Sequence, residues 1–323
     1  MSDNLGTIFY YPRHRGPRDI KKITAEIAGG PFDHIFLTET YSEIFTTVAA
    51  LTDVVDETVT LGTSVSNIYF HHPYEMAMAV ANLANLTGGR FVLGIGTGHQ
   101  EVNVAGLGFD MAKPLTYMRH YVEVLRACLT SRGKPIHVRN PEFQVTGLPL
   151  PWGNEEAADV PIILGALGDP MVRLAAAVAD GVVLSHASAS RVAEVVRVLA
   201  DHRPAGAPKA TVYAIVNVLI DDSRDRAREA IRPLVSRYTR FPFYQALYRK
   251  SGIEIRPDGR LSDAGVDQVS FAGPASYVRE RVAEFREAGA DVVILSPAVA
   301  LDPQGQADLH RVYADFAATI ASW

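Results

Sequence analysis

Short apolar runs alternate with amphipathic stretches along almost the whole chain. The runs are rich in Val, Ile, Leu and Phe, which is typical of buried parallel strands. The predicted strands are Leu5–Tyr11, His34–Thr38, Val59–Val65, Phe91–Ile95, Pro161–Ala166, Gly181–Ser185, Thr211–Ile220 and Val292–Ser296. The predicted helices are Ser42–Val54, Pro73–Leu86, Leu115–Leu129, Pro170–Val178, Ser190–Ala200, Ser223–Tyr238 and Pro274–Glu287. About eight strand–helix units in one chain favour an α/β fold, the (β/α)8 TIM barrel, over an open doubly wound sheet.

Two segments interrupt this alternation, and we interpret them as insertions after strands 4 and 7. Ser131–Asp159 is rich in Pro, Gly and charge, which predicts a surface hairpin. Thr239–Phe271 begins with several aromatic residues and continues into a polar tract. A loop of that length favours either a lid over the barrel mouth or a segment that faces a partner. Because no repeat or linker interrupts the chain, we expect residues 1–323 to form a single domain.

Composition narrows the class of protein. Hydrophobic residues make up 48% of the 323 residues, and the net charge is −5. No basic stripe is present, so we expect no nucleic-acid partner. No apolar run approaches the length of a membrane span and no signal-peptide core is visible, so we expect a cytoplasmic protein without a membrane segment. The one cysteine, Cys128, lies at a core position of a predicted helix and is interpreted as a buried small hydrophobe.

Polar residues that follow predicted strands are the candidates for chemistry, because parallel α/β folds place their sites at the carboxyl ends of strands. Glu39 follows the second strand, where it could be a general base, cap the next helix or pair with an arginine. Thr63, Ser64, Val65 and Asn67 end the third strand, where their composition favours a bulged backbone or a plain strand-to-loop transition.

Glycine-rich turns follow the fourth and fifth strands. Gly94–His99 contains GxGxG rather than GxGxxG, so a dinucleotide-binding unit is not indicated. His99 could donate a proton, form a hydrogen bond or lie at the rim. Gly165–Gly168 leads into a helix that starts at Pro170, and its free N–H groups favour phosphate. As the alternative, Asp169 caps that helix.

No metal-binding spacing, nucleophile elbow or P-loop is present in the sequence. Chemistry without these elements suggests that a cofactor supplies the reactivity. We therefore expect no metal site.

Three segments together resemble the bacterial luciferase-like superfamily. These are LGTSVSNIYFHHP followed by LTGGRFVLGIGTGHQ, and PIILGALGDPMVRLAAAVADGVVL. The family patterns are approximately LGT-x-V-x-N-x-x-x-RHP, then SGGR-x-x-LGIG-x-G, and a glycine-containing turn before a helix and ADGV. The resemblance implies a (β/α)8 barrel that binds reduced FMN or the deazaflavin coenzyme F-420 at its C-terminal mouth.

Carried onto this sequence, the resemblance places a cis peptide at Ser64–Val65, behind the flavin ring. It implies that Thr63, Ser64, Val65, Asn67, Thr97 and Gly98 line the cofactor, and that Gly165, Ala166, Leu167 and Gly168 hold its phosphate. Three positions depart from the pattern. Glu39-Thr40 replaces the frequent Asp-His, His71 replaces the arginine of RHP, and His99 replaces a glutamate of the deazaflavin sugar-phosphate dehydrogenases.

The function expected from the resemblance is hydride transfer between a small organic substrate and coenzyme F-420, with His99 and Glu39 as candidate catalytic residues. The segment around Thr38–Asn67 is closer to the methylenetetrahydromethanopterin-reductase-like branch than to luciferase. The alternatives are a two-component monooxygenase that uses O₂ and FMNH₂ from a flavin reductase, and a non-catalytic flavin-binding relative. Since family members are often dimers, we also expect a homodimer.

Overall fold

Eight parallel strands close into a barrel, as the alternation predicts. The computed structural model describes residues 4–9, 16–40, 42–150, 155–298 and 308–323. The barrel strands are, in spatial order, β1 (Leu5–Phe9), β2 (His34–Leu37), β3 (Thr60–Thr63), β5 (Phe91–Gly96), β8 (Ile162–Gly165), β9 (Gly181–Ser185), β10 (Thr211–Ile220) and β12 (Val292–Pro297). Pairing of β12 with β1 completes the ring. The (β/α)8 prediction is therefore confirmed.

Bulky side chains fill the interior of the barrel, so the barrel is a packed core and not a channel. Ile8, Phe36, Ile163, Tyr213 and Ile294 belong to this interior cluster, and Val65 packs against it. The other face of each strand packs on the surrounding helices, which form a larger continuous core. Because both faces of the sheet are buried, the strands read as unbroken apolar runs.

Helices surround the barrel and join its strands. They are α1 (Pro17–Ile27), α2 (Ile44–Leu51), α3 (Pro73–Thr87), α4 (Pro114–Leu129), α5 (Glu155–Ala158), α6 (Asp169–Val178), α7 (Ala189–His202), α8 (Arg224–Ser236), α9 (Pro242–Lys250), α10 (Asp263–Val269), α11 (Ala275–Glu287) and α12 (Leu309–Ala321). All seven predicted helices are present, whereas α1, α5, α9, α10 and α12 were not predicted. Cys128 is buried in α4, as expected.

Both insertions are present. After the fourth barrel strand, β6 (Ile136–Arg139) and β7 (Gln144–Leu148) form the predicted antiparallel hairpin. After the seventh, α8 continues into a 3₁₀ turn at Arg237–Arg240 and then α9, and β11 (Ser270–Gly273) pairs with the end of β10. No helix in the described ranges combines the length and apolarity needed to cross a membrane.

The third predicted strand differs most from the structure at its end. The third ends at Thr63 instead of Val65, and a short strand, β4 (Ser66–Asn67), pairs with β5 after the interruption. For the first strand, Tyr10 and Tyr11 lie outside the described residues, as does Tyr41 after the second strand.

Candidate functional site

The bulge after β3 lies at the C-terminal mouth of the barrel. The peptide bond between Ser64 and Val65 is cis, as the resemblance implied. Its flanking groups are fixed to the neighbouring strand, because Ser64 N–H donates to Leu37 O at 2.7 Å and Thr38 Oγ1 donates to Ser64 O at 2.9 Å. The hydroxyl of Ser64 is buried without a partner among the described residues. A buried hydroxyl of this kind is available to a ligand.

Val65 brings three of the predicted cofactor segments together. Its side chain lies over two glycines, so that a Cβ atom added to Gly96 would stand 2.5 Å from Val65 Cγ2, and one added to Gly165 would stand 3.4 Å from Cγ1. These glycines end β5 and β8. Because Gly96 and Gly165 have no side chains, the bulge can pack directly on the ends of both strands.

The side chain of Thr63 is buried and bonded to the backbone of β5, and lining of the cofactor by Thr63 stays a prediction. Its hydroxyl donates to Gly94 O at 2.7 Å and accepts from Gly94 N–H at 2.9 Å. These two hydrogen bonds take the place of backbone pairing between β3 and β5 where the bulge begins. The hydrogen-bonding role of Thr63 is structural.

Asn67 connects the bulge to the turn after β5. Its Nδ2 donates to Asn103 Oδ1 at 2.8 Å, and Asn103 Nδ2 donates to Thr97 O at 2.7 Å. Gly98 has a φ of 63°, and an added Cβ would stand 2.7 Å from Asn67 Nδ2. Both the left-handed backbone and the close approach therefore require glycine at this position. Asn103 gave no signal in the sequence.

Glu39 is buried behind the bulge and is already satisfied by protein donors. Oε2 accepts from Ser66 Oγ at 2.9 Å and from Asn67 N–H at 2.8 Å, and Oε1 lies 2.8 Å from His71 Nε2. Glu39 was also considered as a helix cap or as the partner of an arginine. Both alternatives are wrong, because Glu43 caps α2 and the partner of Glu39 is a histidine. A carboxylate with three protein partners is poorly placed to take a proton from substrate.

His99 stands at the rim beneath the second insertion. Its ring stacks on Phe241, with the centroids 5.4 Å apart. Partial burial lowers the pKa of His99; Glu101 opposes this shift, while Arg237 and Arg240 add to it. The imidazole is therefore neutral at pH 7 and can accept a proton. Because Phe243 also approaches Gly168, the insertion lies across the mouth, in the position of a lid.

His186 is a further polar group near the mouth, and the sequence did not mark it as a candidate site residue. It follows β9, has a φ of 55°, and its ring lies 3.9 Å from that of Tyr238. Burial and, to a lesser extent, Arg237 lower the pKa of His186 to about 3. This histidine is thus neutral, and its Nδ1 is without a hydrogen-bond partner in the described part of the chain.

The loop Gly165–Gly168 leads into α6 without a side-chain cap. Gly168 is the N-cap residue, so the alternative that Asp169 caps the helix is wrong. The carboxylate of Asp169 instead lies 2.6 Å from Lys250 Nζ and 2.8 Å from the buried Arg191 guanidinium. The hydrogen bonds from Lys250 and Arg191 lower the pKa of Asp169 despite the opposing effect of its burial.

Arg191 also reaches the loop itself. Its Nη2 donates to Leu167 O at 2.8 Å, and its Nη1 lies 2.7 Å from Glu194 Oε2. The loop is therefore held by a guanidinium, while Ala166 N–H donates to Val183 O at 3.3 Å. Phosphate binding by Gly165–Gly168 stays a prediction. Within the described residues, no cluster of three or more His, Cys, Asp or Glu side chains could hold a metal ion.

Comparison with known proteins agrees with this geometry. A protein of Mycobacterium tuberculosis named as a coenzyme F-420-dependent oxidoreductase is 27% identical, over 90% of this chain and 94% of its own length. The 5,10-methylenetetrahydromethanopterin reductase of Archaeoglobus fulgidus is 32% identical over 64% of this chain and 61% of its own length.

Among solved structures, an F-420-dependent secondary alcohol dehydrogenase in complex with an F-420–acetone adduct superposes with a TM-score of 0.79. It is 16% identical and covers 99% of this chain and 98% of its own, so this likeness shows the fold. The family described as luciferase-like monooxygenase matches residues 9–292. The chain therefore belongs to the luciferase-like monooxygenase family.

Proposed function

We propose that this oxidoreductase of the luciferase-like family transfers a hydride between a small organic substrate and the deazaflavin coenzyme F-420 at the barrel mouth. The bulge, the end of β5 and the end of β8 meet at Val65, and this arrangement supports the proposal. The M. tuberculosis relative, which is matched over almost its full length, favours F-420 over FMN. We further propose the homodimer that is frequent in the family.

The residues present fit a cofactor with a flat ring and a phosphate. The buried hydroxyl of Ser64, which has no partner among the described residues, and the apolar side chain of Val65 form a wall against which a ring can lie. The uncapped start of α6 offers N–H groups to an anion, and the Arg191 charge reaches the same loop. Ser64, Val65, Asn67, Thr97 and Gly98 would hold the ring.

The phosphate would lie against Gly165, Ala166, Leu167 and Gly168. When bound, the deazaflavin supplies the hydride chemistry, which no protein side chain can supply. The protein then has to orient the reactants, exclude water and move one proton.

His99 is the group best placed to move that proton. Its lowered pKa leaves the imidazole neutral at pH 7, so a ring nitrogen can take the hydroxyl proton of an alcohol substrate and return it in the reverse direction. Phe241 stacks on His99 from the side of the second insertion and orients its ring.

A transfer assay with labelled coenzyme tests this function. Reduced F-420 carrying deuterium at C5 is incubated anaerobically with a panel of small ketones, aldehydes and imines, and the products are examined by mass spectrometry. We expect deuterium in one product class, and we expect a His99→Gln variant to bind the coenzyme but to transfer at least tenfold more slowly. Coenzyme binding without transfer to any substrate would favour the non-catalytic relative.

The second candidate function is a two-component monooxygenase. The matched family is described by that activity, and Phe241 and Phe243 place aromatic rings beside His99 and Gly168 at the mouth. A flavin reductase would then be the partner. Oxygen consumption that depends on reduced FMN, together with no deuterium transfer from F-420, would establish this function in place of the first.

A further inference from the structure

Two residues that depart from the family pattern meet in one buried contact behind the bulge. Glu39 stands where Asp is frequent, and His71 stands where the pattern has Arg. Their side chains are only 4% and 10% exposed, and Oε1 of Glu39 lies 2.8 Å from Nε2 of His71. The longer acid and the shorter base together span the gap between the end of β2 and the start of α3.

The other oxygen of Glu39 holds the backbone of the bulge. It accepts from Ser66 Oγ and from Asn67 N–H, at 2.9 and 2.8 Å. Asn67 in turn holds Asn103, which holds Thr97 O. A displacement of the Glu39 carboxylate is therefore passed directly to the bulge and, through one amide pair, to the turn that precedes His99.

His71 lies between two carboxylates. Nε2 faces Glu39, while Nδ1 lies 3.0 Å from Oε2 of Glu75 on the first turn of α3. A neutral imidazole has one N–H and can donate to only one of these oxygens, so both contacts together require the imidazolium. Among the described residues, the other contacts of His71 are uncharged: the Phe45 ring lies edge to face at 5.2 Å, and Tyr121 Oη donates to the His71 carbonyl.

The pKa of His71 also favours the imidazolium form. Burial by itself lowers the pKa of His71, but the hydrogen bond and charge of Glu39, followed by those of Glu75, outweigh burial and raise the pKa above its ordinary value. An arginine at this position would keep its charge at every accessible pH. Because this position is a histidine, the positive charge that pairs with Glu39 can be lost as the pH rises.

We propose that the Glu39–His71 ion pair is a positioning element that holds the Ser64–Asn67 bulge in the form that binds the cofactor ring. This inference rests on the proposed function. The pair is complete at pH values below about 6.5, where His71 is charged, and its contribution is lost as the pH rises through the raised pKa of His71. Cofactor binding is therefore tightest at low pH and weakens at high pH.

The test compares cofactor dissociation constants from pH 5.5 to 9 for the wild type and three variants, by fluorescence titration with F-420 and with FMN. His71→Gln removes the charge, and we expect binding about tenfold weaker at pH 6 but near wild-type at pH 9. His71→Arg keeps a permanent charge, and we expect tight binding with a flat pH profile. His120→Gln is the matched control, since it removes another half-buried His–Glu pair, with Glu142 on the hairpin, and should change nothing.

A second measurement does not need the cofactor. NMR titration of ¹³C-labelled histidine in the apoprotein should give His71 a pKa above 6.5, and Glu39→Gln should lower it. A wild-type profile in His71→Arg, or an unchanged constant in His71→Gln, would overturn the positioning role while leaving the proposed function intact. If the wild type binds neither cofactor, the proposed function fails, and the positioning role fails with it.

Discussion

Gly96→Ala tests whether Val65 forms the wall of the cofactor site. An added Cβ at Gly96 would stand 2.5 Å from Val65 Cγ2, whereas carbon atoms in good contact are about 3.5–4.0 Å apart. One of the two groups must therefore move by roughly 1 Å. Val65 is half-buried at the mouth, so its side chain is displaced more easily than the paired backbone of β5.

Overpacking of this kind costs about 1–3 kcal/mol. If the displaced Val65 side chain occupies the space that the ring needs, the same free energy is lost from binding. Since 1.4 kcal/mol is tenfold in a dissociation constant, we expect cofactor binding to weaken about 5- to 150-fold. The double variant Val65→Ala/Gly96→Ala removes the atoms that clash, and we expect its dissociation constant to return to within about threefold of the wild type.

The assay is fluorescence titration with the preferred cofactor, with thermal unfolding measured in parallel. Gly16→Ala is the control, because an added Cβ there would meet nothing within 4 Å and the residue precedes α1. Unchanged binding by Gly96→Ala, or a double variant that binds no better than Gly96→Ala, would refute the assignment of Val65 to the cofactor wall.

Three further predictions concern charge and protonation. If His99 is the base, the rate of alcohol oxidation should rise with pH around a pKa below 6.5 and then level off. The rising part of this pH–rate profile should disappear in the His99→Gln variant. His186 is neutral when folded with a pKa near 3, so stability is lost as the pH falls below about 6.5, by about 1.4 kcal/mol per pH unit, and His186→Asn should remove that slope in urea unfolding. Asp169→Asn removes a negative charge at the start of α6, and we expect two- to fivefold tighter FMN binding, but unchanged riboflavin binding, by titration.

Each of these has a result that contradicts it. A pH–rate profile that His99→Gln leaves unaltered would exclude His99 as the base. Equal acid sensitivity in wild type and His186→Asn would mean that His186 is not kept neutral in the folded state; Asn is chosen because it tolerates the left-handed backbone. An equal effect of Asp169→Asn on riboflavin and FMN would place the phosphate elsewhere.

Local patterns were sufficient to predict much of the fold. The apolar runs that became β5, β8 and β12 are buried on both faces, so their composition reports their environment directly. The interruption at Ser64–Asn67 was visible because small polar residues broke an apolar strand. The hairpin of Ser131–Asp159 was marked by Pro and Gly at its turns.

Partners distant in sequence could not be predicted in the same way. The Thr63 hydroxyl is satisfied by Gly94, and the Glu39 carboxylate by His71, through contacts that span 31 and 32 residues. Asp169 precedes a proline in the manner of a cap, but Lys250 and Arg191 compete successfully for its carboxylate. α1 and α12, which were not predicted, pack on each other although they lie near opposite ends of the chain.

We propose that the barrel mouth holds a deazaflavin for hydride transfer. The most direct measurement is titration of the purified protein with oxidised and reduced F-420 and with oxidised and reduced FMN, followed by fluorescence. We predict tight binding of F-420 and markedly weaker binding of FMN. Preference for reduced FMN would contradict the hydride-transfer assignment in favour of the monooxygenase, and binding of neither would contradict a flavin-type site at this mouth.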